Sequence, residues 1–381
     1  MYNLNYRINS KILAEYVWQS DKGLKSKSRT LEFEVNRIED LPKWQYAGGS
    51  GEESEFILVP RAVFRDPFRT EKDILVFCDR YLGNGEPHPL NTRAPALKIF
   101  EQTEKQVPMF GIEQEYVMTK DGVTPLGFPG SENVSKSVPR PEGPHYCGVG
   151  YTNILGRPLA EQHYRYCINA GVNICGINAE LLHGQWEYQI GICTGIEAGD
   201  HLWVARYIME RLGEEHGIII NYDPKPVEGK EWSASGLHVN FSTHDMREED
   251  GYKNIINGIE RLKIHHSTHL QLFGEGNEKR LSGESLEKFT YGVADRSASI
   301  RITQDVFDAK KGYFEDRRPA SNADPFVVTS ALVKAVCLHE EDVPHRKMQV
   351  PEAKLETTNQ KTGDKRESLR PHHGEDRRVE A

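Results

Sequence analysis

A chain of 381 residues, 37% hydrophobic and 28% charged, has the composition of a water-soluble globular protein and is long enough for one large domain or two ordinary ones. Its net charge of -9 argues against nucleic acid as the main partner, because phosphate-backbone binding needs a basic face. No apolar run approaches the ~20 residues of a membrane span, and Met1 to Ser10 lacks the apolar core of a secretory leader. A cytoplasmic protein with no membrane partner is expected. The cysteines Cys78, Cys147, Cys167, Cys175, Cys193 and Cys337 form no CxxC pair, which fits a reduced compartment. Cys147, Cys175 and Cys193 sit beside glycines and aliphatics and read as small buried hydrophobes.

In chain order, residues 11–92 carry short alternating segments separated by Gly, Pro and Asp turns. Examples are Glu15-Tyr16-Val17-Trp18, Phe56-Ile57-Leu58-Val59 and Ile74-Leu75-Val76-Phe77-Cys78. They predict a small β-rich first domain. From residue 93 to 345, strand-like pieces alternate with helical patterns. Pro158 to Ala170 has helical spacing and stops at Gly171, a suitable residue for a left-handed cap. Asp200 to Leu212 repeats apolar residues at Leu202, Ala205, Ile208 and Leu212, the period of an amphipathic helix. Arg247 to Phe273 reads as a third, longer helix despite Gly251 and Gly258. Residues 346–381 are charged and nearly free of large apolar side chains, and such a tail is expected to be disordered.

The chemistry is carried by segments with period-two patterning. In Phe110-Gly111-Ile112-Glu113-Gln114-Glu115-Tyr116 a strand points Glu113 and Glu115 one way and Ile112, Gln114 and Tyr116 the other. The pattern recurs in Gln185-Trp186-Glu187-Tyr188-Gln189, Leu237-His238-Val239-Asn240-Phe241 and Ser299-Ile300-Arg301-Ile302. A sheet with one apolar face and one face of acids, amides, His and Arg is the floor of an ionic active site. Gathering Glu113, Glu115, Glu180, Glu187 and Glu315 in one cavity costs roughly 4 kcal/mol per like-charged pair at ~4 Å and an effective dielectric of about 20. Divalent cations remove that cost. Carboxylates with a single imidazole, His238, and no thiolate favour Mg²⁺ or Mn²⁺ over zinc. Arg280, Arg296, Arg301, Arg317 and Arg318 lie in one region on strand or loop patterns, and their forks suit phosphate and carboxylate. Metals beside an arginine cluster are what phosphoryl transfer needs, and no GxxxxGK[ST] or credible GxGxxG is present to make a P-loop or Rossmann site. His265, His266 and His269 lack the Glu of an HExxH motif and read as surface or packing groups. Gly274-Glu275-Gly276-Asn277 reads as a helix-ending loop able to close over a ligand.

Several longer motifs point to a family. The segments from Phe110 to Tyr116, Asn178-Ala179-Glu180 with Gln185-Trp186-Glu187, and Lys311-Gly312-Tyr313-Phe314-Glu315-Asp316-Arg317-Arg318-Pro319 closely resemble eukaryotic-type glutamine synthetase. So do Phe64-Arg65-Asp66-Pro67-Phe68-Arg69 and Gly199-Asp200-His201-Leu202-Trp203-Val204-Ala205-Arg206, and the resemblance spans roughly residues 11 to 340. It implies an α+β protein with an N-terminal β-grasp domain (11–92), a catalytic α/β domain (93–345) and the tail. It also implies synthesis of glutamine from glutamate, ammonia and ATP through γ-glutamyl phosphate, in stacked homo-oligomeric rings with sites between subunits. By the same resemblance Glu113, Glu115, Glu180, Glu187, His238 and Glu315 are metal ligands, and Arg296 and Arg301 contact the nucleotide phosphates. Arg280 and Arg317 hold glutamate and the transferring phosphoryl group.

The chain departs from the family pattern at three places. Trp44-Gln45-Tyr46 runs into Ala47-Gly48-Gly49-Ser50 where the family continues with Asp-Gly-Ser-Ser-Thr, whose Asp serves ammonium. Arg280-Leu281-Ser282-Gly283 runs directly into Glu284, without the His-Glu-Thr whose Glu closes over the site. Ser233-Ala234-Ser235-Gly236 replaces Asn-Gly-Ala-Gly beside the glutamate position. The first two leave a second reading, a non-catalytic relative that binds nucleotide and metal as a ring subunit or regulator.

Overall fold

The structure, a computed structural model, describes residues 11–21, 23–47, 55–129, 143–281 and 284–339. The expected tail, the segment after Ala47 and the junction at Ser282-Gly283 lie outside them. Five strands form the first sheet: β1 (Ile12–Ser20), β2 (Gly23–Leu31), β3 (Trp44–Ala47), β4 (Glu55–Arg65) and β5 (Ile74–Tyr81), in the order β2-β1-β5-β4-β3. Only β1 and β5 run parallel. Alternation along β1 sends Tyr16 and Trp18 to one face, with Val76, Cys78 and Leu58. Val17 goes to the other face, where Phe77 and Phe64 join the large core.

The second sheet has the order β11-β12-β13-β10-β6-β8-β7, with β9 beside β6. Its strands are β6 (Met109–Thr119), β7 (Ile174–Ala179), β8 (Gln185–Thr194), β9 (Ile219–Asn221), β10 (Leu237–Ser242), β11 (Tyr291–Val293), β12 (Ile300–Ile302) and β13 (Phe314–Asp316). Helices α1 (Arg93–Gln102), α2 (Arg157–Ala170) and α3 (Glu197–His216) pack their apolar residues into the same core. Helix α2 ends where the sequence predicts, with Gly171 left-handed at φ 84° and its N–H returned to Cys167 and Ile168. The α+β class read from the sequence is the one observed. Among the described residues no helix is long and apolar enough to cross a membrane.

The predicted long helix from Arg247 to Phe273 is instead three: α4 (His244–Arg247), α5 (Tyr252–Ile264) and α6 (His266–Leu272). The chain turns at Asp250, whose φ is 58°, and at Gly251, where a Cβ would stand 2.2 Å from the Met246 carbonyl oxygen. Gly251 is therefore a break demanded by close backbone approach, not a tolerated helix residue. The predicted burial of three cysteines also needs correction: Cys193 is buried, but Cys147 lies on an exposed turn and Cys175 on the edge strand β7, both open to solvent. The remaining α-helices among the described residues are α7 (Asn277–Arg280), α8 (Glu284–Glu287), α9 (Gln304–Ala309) and α10 (Pro325–Val333).

Buried polar links tie the first sheet to the helices behind the second. Arg93, at the start of α1, donates to both oxygens of Asp200 on α3 at 2.7 and 2.9 Å, and its guanidinium lies 3.9 Å from Asp79 on β5. Glu15 on β1 accepts from Tyr207 of α3 at 3.1 Å and from Arg69 at 3.0 Å. Burial would raise the Glu15 carboxyl, but hydrogen bonds from Ser26 and Ser28 and the charge of Arg69 carry it below the ordinary value. Asp324 caps α10 through the Phe326 N–H and accepts from Gln19 and Thr92 at 2.8 and 2.6 Å.

Removing one member of a buried ion pair strands the other in low dielectric. Arg93→Met is therefore expected to cost roughly 3 kcal/mol in denaturant unfolding. Adding Asp200→Asn to that variant should recover part of the loss, because the stranded charge is then gone; a double variant no more stable than Arg93→Met contradicts the assignment.

Candidate active site

Strand register builds the acidic wall. Glu113 lies opposite His238 and Gln189, Glu115 opposite Glu187, Glu187 opposite Asn178, and Glu315 opposite both Asn240 and Arg301. Directly opposed residues share a face. Ile112, Gln114 and Tyr116 turn the other way and are each at most 1% exposed.

A cavity of about 370 Å³ opens on this wall, lined by Glu113, Glu115, Glu180, Glu187 and His238 together with Arg280, Arg296, Arg301 and Arg317. Glu315, 1% exposed, lies against the same groups. Arg317 Nη1 donates to its Oε1 at 2.5 Å and Arg301 Nη1 to its Oε2 at 3.1 Å. His238 Nδ1 stands 3.4 Å from Glu113 and 3.6 Å from Glu315. Nine of the ten site residues predicted from sequence thus line the cavity and the tenth abuts it. Arg318 does not join them. It is buried against Asp316 at 2.6 and 2.9 Å, with His266 and His269 at 3.5 and 3.2 Å, so these histidines and this arginine are packing groups of the core.

Two sets of ligand atoms emerge. One atom each from Glu113, His238 and Glu315 falls within 4.8 Å of the others, and so does one each from Glu115, Glu180 and Glu187. Hard carboxylate oxygens with one imidazole suit Mg²⁺ or Mn²⁺. The electrostatics fit as well. Burial, followed by the charges of neighbouring glutamates, pushes the carboxyls of Glu180 and Glu187 well above the ordinary range. Burial acts the same way on Glu113, yet the hydrogen bond and charge of His238, with Asn240 and Arg317, bring it below. Burial lowers Arg280 to about 10 against the pull of Glu115. Its Nη2 is held at 2.7 Å by the carbonyls of both Arg317 and Arg318, and its Nη1 faces Gly236.

Several site residues escaped the sequence reading. Asn240 donates to Glu113 at 3.1 Å, Asn178 to Glu180 at 3.1 Å, and Gln189 to Glu187 and to Asn178. Gln189 and Asn240 share the strand parity of Glu187 and His238, so period two was the signal that could have found them. Tyr146, packed on Arg296 at 5.8 Å from ring centroid to guanidinium, comes from an irregular turn that carries no such signal. Nor does sequence periodicity reveal the neighbouring groove. It has a volume of about 690 Å³, meets the cavity at Glu113, and combines apolar Met109, Ile190 and Ile192 with Asn240, Ser242, Arg247 and Tyr313.

Residues 89–273 match the family model for the glutamine synthetase catalytic domain. The chloroplastic glutamine synthetase of Brassica napus is 48% identical over 344 residues, 87% of this chain and 79% of that protein. A cytosolic isozyme of Medicago sativa is 48% identical over 342 residues, covering 86% and 94% of the two chains. The Pinus sylvestris cytosolic isozyme is 46% identical over 345 residues, covering 87% and 95%.

A folded-state carboxyl raised above its unfolded value favours folding at low pH, and that contribution is lost as pH rises from the ordinary carboxylate value through the raised one. Glu180 and Glu187 therefore weaken the ion-free protein as pH increases, and a bound dication reverses the penalty. The rise in melting temperature on adding Mg²⁺ should be larger at pH 8.5 than at pH 6, and Glu187→Gln should shrink the difference; an equal rise at both pH values in the unaltered protein counts against two crowded carboxylates at the ion.

Proposed function

The chain belongs to the glutamine synthetase family, and on that premise we propose that it joins ammonia to the side-chain carboxylate of glutamate, driven by ATP, to give glutamine through γ-glutamyl phosphate. The observation that carries this reading is the convergence on one cavity of two ligand trios, one of two carboxylates with His238 and one of three carboxylates, with four arginines. Both halves of phosphoryl-transfer chemistry, cation sites and anion clamps, are assembled, so nothing in the described site favours the non-catalytic reading.

Glu113, His238 and Glu315 would hold one divalent ion, and Glu115, Glu180 and Glu187 a second, each supplying charge neutralisation to phosphate oxygens when bound. Mg²⁺ or Mn²⁺ is the ion we assign from the oxygen-rich donor set. Arg296 and Arg301 face the phosphates of ATP. The groove leading from Glu113 takes the base and ribose, its aliphatic walls suited to a flat ring and Asn240, Ser242 and Arg247 to polar edges. Arg280 and Arg317 hold glutamate and the transferred phosphoryl group, with guanidinium forks matched to carboxylate and phosphate. Arg280 is preorganised for this role, because two backbone carbonyls of the protein fix its side chain. Ammonia then displaces phosphate from the activated carboxylate.

Family membership supports stacked homo-oligomeric rings with sites shared between neighbours. Light scattering should then give a mass many times the 43.4 kDa of one chain. The compartment we assign is the cytoplasm; the relatives carry both cytosolic and chloroplastic names.

The decisive assay supplies ATP, Mg²⁺ and glutamate, with and without ammonium, and follows phosphate and glutamine. Ammonium-dependent phosphate release matched by glutamine is expected, and Arg317→Ala should lower the rate by about 100-fold or more, the usual cost of losing one preorganised charge stabiliser. Nucleotide binding with no glutamine formed would overturn the ligase reading.

A further inference from the structure

Glu115 is held by a device that the metal-ligand assignment does not include. Its Oε2 accepts the Gly236 N–H at 2.8 Å and the Gln185 side-chain amide at 3.3 Å. Both bonds fall on Oε2, one from the cavity-lining backbone of Gly236 and one from Gln185 beneath it, and among the described residues neither donor reaches Oε1.

Gln185 is fully buried, and its orientation admits one choice. Its Oε1 accepts the Leu182 N–H at 3.1 Å, which would meet a second N–H if the amide were flipped. Nε2 is therefore the atom facing Glu115. That nitrogen has two hydrogens and three acceptors: Glu115 Oε2, the Ala234 carbonyl at 3.0 Å and the Ser235 hydroxyl at 3.0 Å. Ser235 is also fully buried and is locked in place: its N–H donates to Pro224 and its carbonyl accepts from Ser321. The Ser235 hydroxyl thus anchors the amide that anchors the glutamate.

We propose that Gln185, with Ser235, is a positioning pair that fixes Glu115 as a one-oxygen ligand, tying Oε2 to the protein and presenting Oε1 to a divalent cation. The inference rests on the cation sites assigned above. Neither residue touches the reacting atoms; both act through Glu115. A ligand so oriented loses no rotamer freedom on binding the ion, and changes to groups that hold a metal ligand typically weaken affinity by about 10- to 100-fold.

Manganese binding tests this without requiring turnover. Titration of the full-length protein with Mn²⁺, followed by the electron paramagnetic resonance of free ion, should resolve two classes of site. Gln185→Met keeps the length and removes the amide; it should raise the dissociation constant of one class by about 10-fold or more and leave the class containing His238 unchanged. Ser235→Ala removes one oxygen and should shift the same class by a few-fold. Uniform weakening of both classes, or affinities equal to those of the unaltered protein in folded variants, would overturn the positioning role. If Gln185→Met fails to fold, Ser235→Ala decides on the same criterion. Absence of any Mn²⁺ binding by the unaltered protein would instead overturn the cation-site assignment itself.

Discussion

Like-charge crowding on one sheet face is the constraint from which the rest of this structure follows. Four glutamates and a histidine project from adjacent strands where neighbours are fixed by backbone register, not by side-chain choice, and Glu180 joins them just past the end of β7. The chain cannot separate them without giving up strand pairing. It therefore surrounds them with donors: amides from Asn178, Gln185, Gln189 and Asn240, backbone N–H groups from Leu181 and Gly236, and arginines from segments far along the chain. A buried, donor-rich and negatively charged wall is costly to keep without cations and well suited to binding them.

Support for that wall comes from the opposite face of β6. Arg206 of α3 is 4% exposed, and among the described residues it has no carboxylate within ion-pair distance. Its guanidinium donates to Gln114 Oε1 and to the carbonyls of Ser321 and Ala323. Gln114 in turn donates to the Glu115 and Ser321 carbonyls. One buried cation thus joins the helix, the central strand and the segment that follows the arginine-bearing β13. Because all its acceptors are neutral, its geometry is set by the fork of five N–H groups, and lysine could not reproduce it.

How much of this was legible in the sequence depended on whether a local period carried the information. Glu113, Glu115, Glu187, His238 and Arg301 stand on strands whose alternation announces both the element and the face. Helix α2 announced its own end at Gly171. The single helix read from Arg247 to Phe273 was wrong because apolar spacing continues across Gly251, while the close approach of the Met246 carbonyl that breaks the helix is a tertiary fact. Cys175 read as buried from its apolar neighbours, yet it sits on an edge strand, and edge position is set by sheet order. Arg318 has the same local signature as Arg317; just past the end of β13, one side chain turns toward Glu315 and the other toward the core with Asp316. Tyr146 and Arg206 act through contacts that join distant segments, and no local pattern encodes such contacts.

The two trios of potential metal ligands are not electrostatic equals. Glu315 is paired with two arginines and lies near His238, and Glu113 shares that imidazole. Glu115, Glu180 and Glu187 make no direct ion pair among the described residues; Arg280 and Arg296 act on them only at longer range. The consequence falls on the protonation equilibria. Glu113 is drawn toward its charged form, whereas Glu180 and Glu187 are driven toward their neutral forms by burial and then by neighbouring glutamates, Glu115 for both and Glu113 for Glu187 as well. The first trio is thus largely balanced by the protein's own cations, and an ion entering it competes with arginine for the Glu315 oxygens. The second has a deficit that only a proton or an external cation can fill, so it is there that the fold leaves most free energy to be gained from a dication.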